Sequence, residues 1–231
     1  MKKNILITGI LAFSCSIFLL NSCKKDDTTA PDVKLNGLAS MEISLNSAAP
    51  ADPGATANDN EDGSISSVTS TWSSTNPDVN HTGTYTITYS AVDKAGNTGT
   101  ANRTVRVKND AENFAGTYAV HDTCPGVHFD YAQTISVDET LNNRLHFDKF
   151  ANYAGNTHIY ATKLANGTLD MPSQTAASIG SGPNTCDVAD HRFTSNLSSN
   201  ISNGFVLVYT DEIISPSTCT GSTVCTATFT K

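Results

Sequence analysis

Long runs rich in Ala, Leu, Glu and Lys, the strong helix formers, are missing from this 231-residue sequence. Their absence argues against a helical bundle. Charge is also sparse: Asp, Glu, Lys and Arg make up 16% of the chain and hydrophobic residues 38%. Those proportions exclude a disordered polyelectrolyte and a multi-span membrane protein. No strongly basic run occurs, and the formal net charge is −8. Lys2 and Lys3 are the sole charges before Cys23, so the remainder is more acidic still. Such a field repels phosphate backbones, and nucleic acid is not an expected partner. The motifs G-x-S-x-G, H-E-x-x-H, G-x-G-x-x-G and the P-loop are absent. Zinc needs paired close spacings such as C-x₂-C, and only C-x₅-C from Cys219 to Cys225 is present. What fills the chain is Thr, Ser, Asn, Asp and Gly, a composition of β structure with many turns. The length suits one large domain or two small ones.

The N-terminus reads as an export signal. Met1-Lys2-Lys3 is a positive opening, and Ile5 to Leu20 is an apolar stretch shorter than the ~20 residues that span a bilayer. The ending Leu20-Asn21-Ser22-Cys23 resembles the lipobox of bacterial lipoproteins, with Asn21 departing from the usual small residue. The resemblance implies cleavage after residue 22, diacylglyceryl transfer to the Cys23 thiol and acylation of the new amino group. Several acyl chains hold a protein on a membrane firmly where one does not. The alternative is a Cys23 disulfide near an uncleaved anchor. Lys24-Lys25-Asp26-Asp27 looks like the charged tether of Bacteroidetes-type lipoproteins, which implies an outer-membrane protein displayed on the cell surface. Asp27-Thr28-Thr29 resembles the O-glycosylation site of that group. The five Asn-x-Ser/Thr sequons are then coincidences of composition.

Cys15 leaves with the signal. Cys124, Cys186, Cys219 and Cys225 remain, an even number suited to an oxidising compartment. Cys219 and Cys225 could clasp one hairpin. Alternatively Cys124, near the first strand of the C-terminal region, could meet Cys225 in the last. A Cys–His pair of Cys124 with His121 or His128 needs a free thiol, which a bridged Cys124 lacks.

Residues 32–108 read as one module. Tyr85, Ile87 and Tyr89 alternate with Thr84, Thr86 and Thr88, a half-buried strand of period two. Asp93-Lys94-Ala95-Gly96-Asn97 is a turn cluster, and Ala101, Val105 and Val107 alternate beyond it, completing a hairpin. Val33–Leu35 and Met41–Leu45 are further short strands, and the set suggests a β-sandwich. The ordered series Val33-Lys34-Leu35-Asn36-Gly37, Asp52-Pro53-Gly54-Ala55-Thr56-Ala57, Asp59-Asn60-Glu61-Asp62-Gly63, Gly83 to Tyr89 and Val92 to Asn97 resembles bacterial immunoglobulin-like modules. These are also found in pesticidal crystal proteins, and the resemblance implies a spacer or adhesion unit. Asn58 to Gly63 can be read as an acidic turn or as the front of a calcium loop, with Asp59, Asp62 and Asp93 as candidate ligands. Against the calcium reading, Thr69 stands where a bidentate Glu belongs. Trp72, the sole tryptophan, is expected to pack in or against the sandwich.

Residues 109–113 form a polar joint, and residues 114–231 start a new pattern. Eight strand candidates follow, beginning near Phe114, Tyr131, Arg144, Thr157, Thr168, His191, Gly204 and Val224. Asn142-Asn143, Asn166-Gly167 and Asn203-Gly204 mark turns between them. The spacing predicts an up-and-down meander that can close into a barrel and remove its edges. Phe114-x-Gly116-x-Tyr118, Tyr131 to Ile135, Leu169 to Gln174 and Val206 to Tyr209 resemble a lipocalin-like domain at the C-termini of Bacteroidetes lipoproteins. The resemblance leaves two interiors open, a ligand cavity or a core packed with the barrel's own side chains. Asp187, Asp190 and His191 are neighbours in sequence, without a helix to converge them. Thr175 to Asp190 reads as a long loop.

The sequence therefore predicts an all-β protein, an immunoglobulin-like sandwich followed by an eight-stranded lipocalin-like barrel. It lies on a tether of residues 23–31, without catalytic residues or an obligatory cofactor. The expected function is recognition of a glycan, lipid or small ligand by the barrel, or an adhesion or assembly role without a small ligand.

Overall fold

A computed structural model describes residues 26–153, 158–182, 184 and 186–231. Cys23 and the stretch read from sequence as an export signal lie outside the described residues. The described chain is all-β, with two single turns of 3-10 helix at Glu112–Phe114 and Phe150–Asn152.

The N-terminal module holds seven strands: β1 (Asp32–Leu35), β2 (Ser40–Ser44), β3 (Ala55–Asp59), β4 (Gly63–Ile65), β5 (Thr69–Ser70), β6 (Gly83–Val92) and β7 (Thr98–Lys108). They make two sheets, β1-β3-β4 and β2-β7-β6-β5. Only β2 and β7 run parallel, from Ser40 opposite Thr104 to Ser44 opposite Lys108. Ile43, Leu45, Ile87, Tyr89, Val105 and Val107 are the buried centre, with Val33, Leu35 and Trp72 packed against them. The inward residues of β6 and β7 follow the pleat, every second residue.

One inward position is charged. Arg103 on β7 is fully buried. Its guanidinium donates to the carbonyls of Leu38 (2.5 Å), Asn36 (2.8 Å) and Gly54 (3.2 Å) and to the Tyr89 hydroxyl (3.2 Å). The Tyr89 hydroxyl in turn donates to Asp52 Oδ1 at 2.5 Å. Arg103 thus ties together carbonyls of the β1–β2 and β2–β3 connections, including the Gly54 carbonyl, which also accepts the Asn36 N–H at 3.0 Å.

The tether differs from a chain free as far as Pro31. Asn97 Nδ2 donates to the Asp27 carbonyl, and Pro31 is buried, its carbonyl at the place a Cβ on Gly99 would occupy. Residues 27 to 31 therefore lie along the start of β7.

The joint is equally fixed. Asn109 is buried, donating to the carbonyls of Asp138 and Leu141 and accepting from the N–H groups of Ala111 and Asn143. Asp110 bonds Ser44 and Asn142, and Arg106 pairs with Glu112 at 2.6 Å. The Thr82 N–H reaches the Glu139 carbonyl, and the Asn142 N–H reaches Asn46.

Beyond the joint come β8 (Gly116–Cys124), β9 (Val127–Val137), β10 (Arg144–Phe147), β11 (Ile159–Lys163), β12 (Leu169–Gly180), β13 (Val188–Ile201), β14 (Gly204–Ser215) and β15 (Gly221–Thr230). Each pairs antiparallel with the next, and β15 pairs with β8, so the meander closes into an eight-stranded barrel. The β13–β14 hairpin turns on Ser202-Asn203 into Gly204, at φ +153°, where a Cβ would run into the Phe229 carbonyl. The expected loop from Thr175 to Asp190 is mostly strand: β12 runs to Gly180 and β13 starts at Val188. A register shift between Ala176 and Ile179 lets both point inward across small Ser and Ala residues, which disguise the alternation.

Candidate ligand site at the open end of the barrel

The barrel interior is packed over much of its length. Phe205 and Phe229 stack at 4.4 Å between ring centres, and Tyr118 and Phe147 meet them edge-on. Phe150, on the link between β10 and β11, is fully buried and meets Phe147, Phe193 and Tyr209 edge-on. This plug of rings leaves no room for an acyl chain to thread the barrel. Of the two interiors open from sequence, the packed one describes most of it.

The end remote from the immunoglobulin-like module is different. A cavity of about 280 Å³ opens there, lined among others by Phe129, Tyr153, His191, Tyr209, Asp211 and the Cys124–Cys225 bridge. That size is near the lower limit of small-ligand sites. Two polar pairs serve it. His191 Nδ1 and Asp211 Oδ1 lie 2.6 Å apart, on neighbouring strands β13 and β14. The Tyr153 ring packs against His191 at 4.9 Å, and its hydroxyl lies near the Asp211 carboxylate; burial, together with that charge, pushes the hydroxyl above the ordinary tyrosine range. The Tyr209 hydroxyl donates to Asp122 Oδ2 at 2.6 Å, and the Tyr131 hydroxyl approaches the same oxygen at 3.4 Å.

Asp122 occupies an inward position of β8, after Tyr118 and Val120, and is 1% exposed. Its Oδ1 is buried without a hydrogen-bond partner. Burial pushes its carboxyl above the usual range, opposed by the two tyrosine hydroxyls and reinforced by the Asp211 charge. Burial, followed by the Asp122 charge, drives the hydroxyls of Tyr131 and Tyr209 well above the ordinary tyrosine range. Both phenols therefore stay protonated donors at neutral pH.

The β10–β11 link shapes this end. Ala151 and Asn152 are non-glycine residues in the left-handed region, at φ 54° and 59°. Their N–H groups turn toward the Tyr131 hydroxyl. Adjacent strained residues beside a cavity are a mark of a built site. Two disulfides brace the same end. Cys124–Cys225 joins β8 to β15, and Cys186–Cys219 joins the loop before β13 to the loop before β15. The hairpin clasp between Cys219 and Cys225 does not form, because Cys225 lies on β15 with β8 alongside.

The sequence-predicted groups separate. His121 bonds the exposed Asp130 at 2.7 Å, and the Cys124 sulfur is consumed by its bridge, so no Cys–His pair exists there. Asp187 accepts from Asn184 and Asp190 from the Ser178 N–H, while His191 turns to Asp211. Of the calcium candidates, Asp59 and Asp93 come together with Asp27, which sequence reasoning missed; Asp62 takes the N–H and ammonium of Lys94. Asp122 and Asp211 were also missed. An acid at the inward position of the β8 alternation is the signal that marks Asp122.

No curated protein matches the chain. A lipoprotein of known structure from Bacteroides thetaiotaomicron is similar over 87% of this chain and 100% of its own, with 18% identity and a TM-score of 0.33. Residues 33–107, about a third of the chain, match the family described as bacterial surface protein, Ig-like domain.

Proposed function

We propose that the chain is a non-catalytic surface lipoprotein, held in the outer membrane by acylated Cys23, whose barrel binds a small hydroxylated ligand such as a sugar residue. The observation that carries this reading is the contrast between the two parts of the barrel interior. One part is filled by phenylalanines, and the other is a cavity lined by the Asp211 carboxylate, His191 and aromatic faces. Carboxylates accept hydrogen bonds from ligand hydroxyls, while Tyr153 and Phe129 offer flat faces for a sugar ring. The immunoglobulin-like module contacts the β9–β10 loop at the opposite end, so the cavity points away from it. Among the described residues that line the cavity there is no Ser, and its two cysteines, Cys124 and Cys225, are bridged to each other.

The test is ligand-observed NMR with parallel panels of mono- and disaccharides and of fatty acids. A saccharide signal lost in Tyr153→Ala and in Asp211→Asn supports the reading. Fatty-acid binding, or silence from both panels, overturns it, and silence returns the barrel to an adhesion or assembly role. Membrane fractionation of Cys23→Ala tests the anchor separately; a variant that stays with the membrane refutes it.

A further inference from the structure

Three carboxylates meet at the edge of the immunoglobulin-like module. Asp59 ends β3, Asp93 opens the β6–β7 turn and Asp27 comes from the tether. One oxygen from each lies within 4.8 Å of the others. Oxygens bound to one calcium ion at ~2.4 Å lie at most about 4.8 Å apart, so the three fit one coordination sphere. Among the described residues no Lys or Arg pairs with any of them.

Asp59 supplies an independent observation. It is only 3% exposed. Its Oδ1 accepts the N–H groups of Glu61 and Asp62 at 2.8 and 2.9 Å. Its Oδ2 is buried and has no partner. A buried carboxylate with one oxygen unpartnered, beside two more carboxylates, is an arrangement that a bound cation satisfies.

The neighbours are already oriented. Asn97 donates from its N–H to Asp93 Oδ1 and from its side chain to Asp93 Oδ2 and the Asp27 carbonyl. One amide thus holds both Asp93 and the tether in place before any ion arrives. The donors are hard oxygens without sulfur or imidazole, which selects calcium or magnesium over transition metals. Magnesium keeps several waters and a strict octahedron, whereas calcium tolerates an irregular, protein-rich shell.

We propose that Asp27, Asp59 and Asp93 bind a calcium ion that fastens the tether to the immunoglobulin-like module. The ion would sit four residues after Cys23, so its binding shortens the free tether and fixes how the module stands. Affinity belongs in the range of extracellular modules, about 10⁻⁴–10⁻³ M. This inference is independent of the barrel ligand.

The experiment uses the full chain in detergent. Calorimetric titration with calcium chloride should show one site in that range. Calcium should raise the melting temperature of the module relative to EDTA, read by Trp72 fluorescence, and slow hydrogen exchange over residues 26–31. Asp59→Asn should abolish binding. Asp27→Asn should weaken it about tenfold while leaving the metal-free melting temperature unchanged, and Asp26→Asn should change neither. No heat and no melting shift at 10 mM calcium overturns the site. Wild-type affinity in Asp27→Asn overturns the tether clamp, and equal binding of magnesium overturns the assignment of the ion.

Discussion

Replacing Arg103 by Met tests the reading of the first module most sharply. Met fills much of the arginine volume and removes the donors. The carbonyls of Leu38 and Asn36 then lose their guanidinium partner, while the Gly54 carbonyl keeps the Asn36 N–H. Each buried acceptor left unpaired costs about 1–3 kcal/mol. Removing the buried charge recovers part of its desolvation, which brings the net loss to about 2–4 kcal/mol. A module of this size has a total stability of roughly 4–11 kcal/mol at ~0.05–0.15 kcal/mol per residue, so the variant approaches the threshold of unfolding. The assay is built into the chain. Trp72 is the sole tryptophan and packs against this module's core, so its fluorescence reports on this module alone. With a urea slope of about 1–1.5 kcal/mol per molar, the midpoint should fall by roughly 1–4 M. Arg103→Lys should recover little, because one ammonium cannot span three carbonyls. A midpoint in Arg103→Met within about 0.5 M of wild type, at an unchanged urea slope, refutes the argument that these carbonyls depend on the guanidinium.

Three other outcomes are expected. The Cys124→Ala, Cys225→Ala double variant opens a loop with a sequence separation of 101 residues. Chain entropy puts that loss at about 4–5 kcal/mol, measured as denaturant stability of the barrel by tyrosine circular dichroism. A loss below about 1 kcal/mol contradicts it. Asp138 caps the β9–β10 turn, accepting from the N–H and hydroxyl of Thr140 and the N–H of Leu141. Burial pushes its carboxyl up, but these donors and His146 outweigh it and hold it well below the usual range. Its contribution is therefore complete above the unfolded value near 3.8 and disappears as pH falls toward the depressed folded value. Asp138→Ala should cost about 2–3 kcal/mol at pH 7, and the gap to wild type should narrow below pH 4; a constant gap argues against the ionised cap. Asp122 has the opposite sign. Its folded value is raised, so its penalty is absent below the unfolded value and grows as pH rises through the folded one. Asp122→Asn should be more stable than wild type at pH 7 and equal to it near pH 3. A less stable Asn variant at pH 7 shows that the Tyr209 bond outweighs burial.

Much of the fold was legible because the alternation was clean. Tyr85, Ile87 and Tyr89 announce β6, and Asn166-Gly167 and Asn203-Gly204 announce their hairpins. The ends of β12 and β13 were illegible because Ser, Ala and Thr carry no contrast between faces. Arg103 stands at an inward position between Ala101 and Val105, and Asp122 does the same after Val120. A charge that interrupts an inward series was the readable sign of both the buried guanidinium and the barrel site. His191 and Asp211 were not readable, since their meeting depends on the β13–β14 register. Asp27 was not readable either: its link to Asn97 spans 70 residues and depends on where the tether turns.

The parallel pairing of β2 with β7 has a mechanical side. A pull between the N-terminus and the barrel enters the module ahead of β2 and leaves it at the end of β7. Parallel neighbours drawn from opposite ends slide lengthwise, so the hydrogen bonds between Ser40–Ser44 and Thr104–Lys108 bear the load together instead of parting one by one. Rupture under tension then requires breaking the set at once, and its rate follows the unfolding barrier more than the equilibrium stability. Together with the hydrogen-bonded joint at Asn109, this makes the module a link that resists shear along its length.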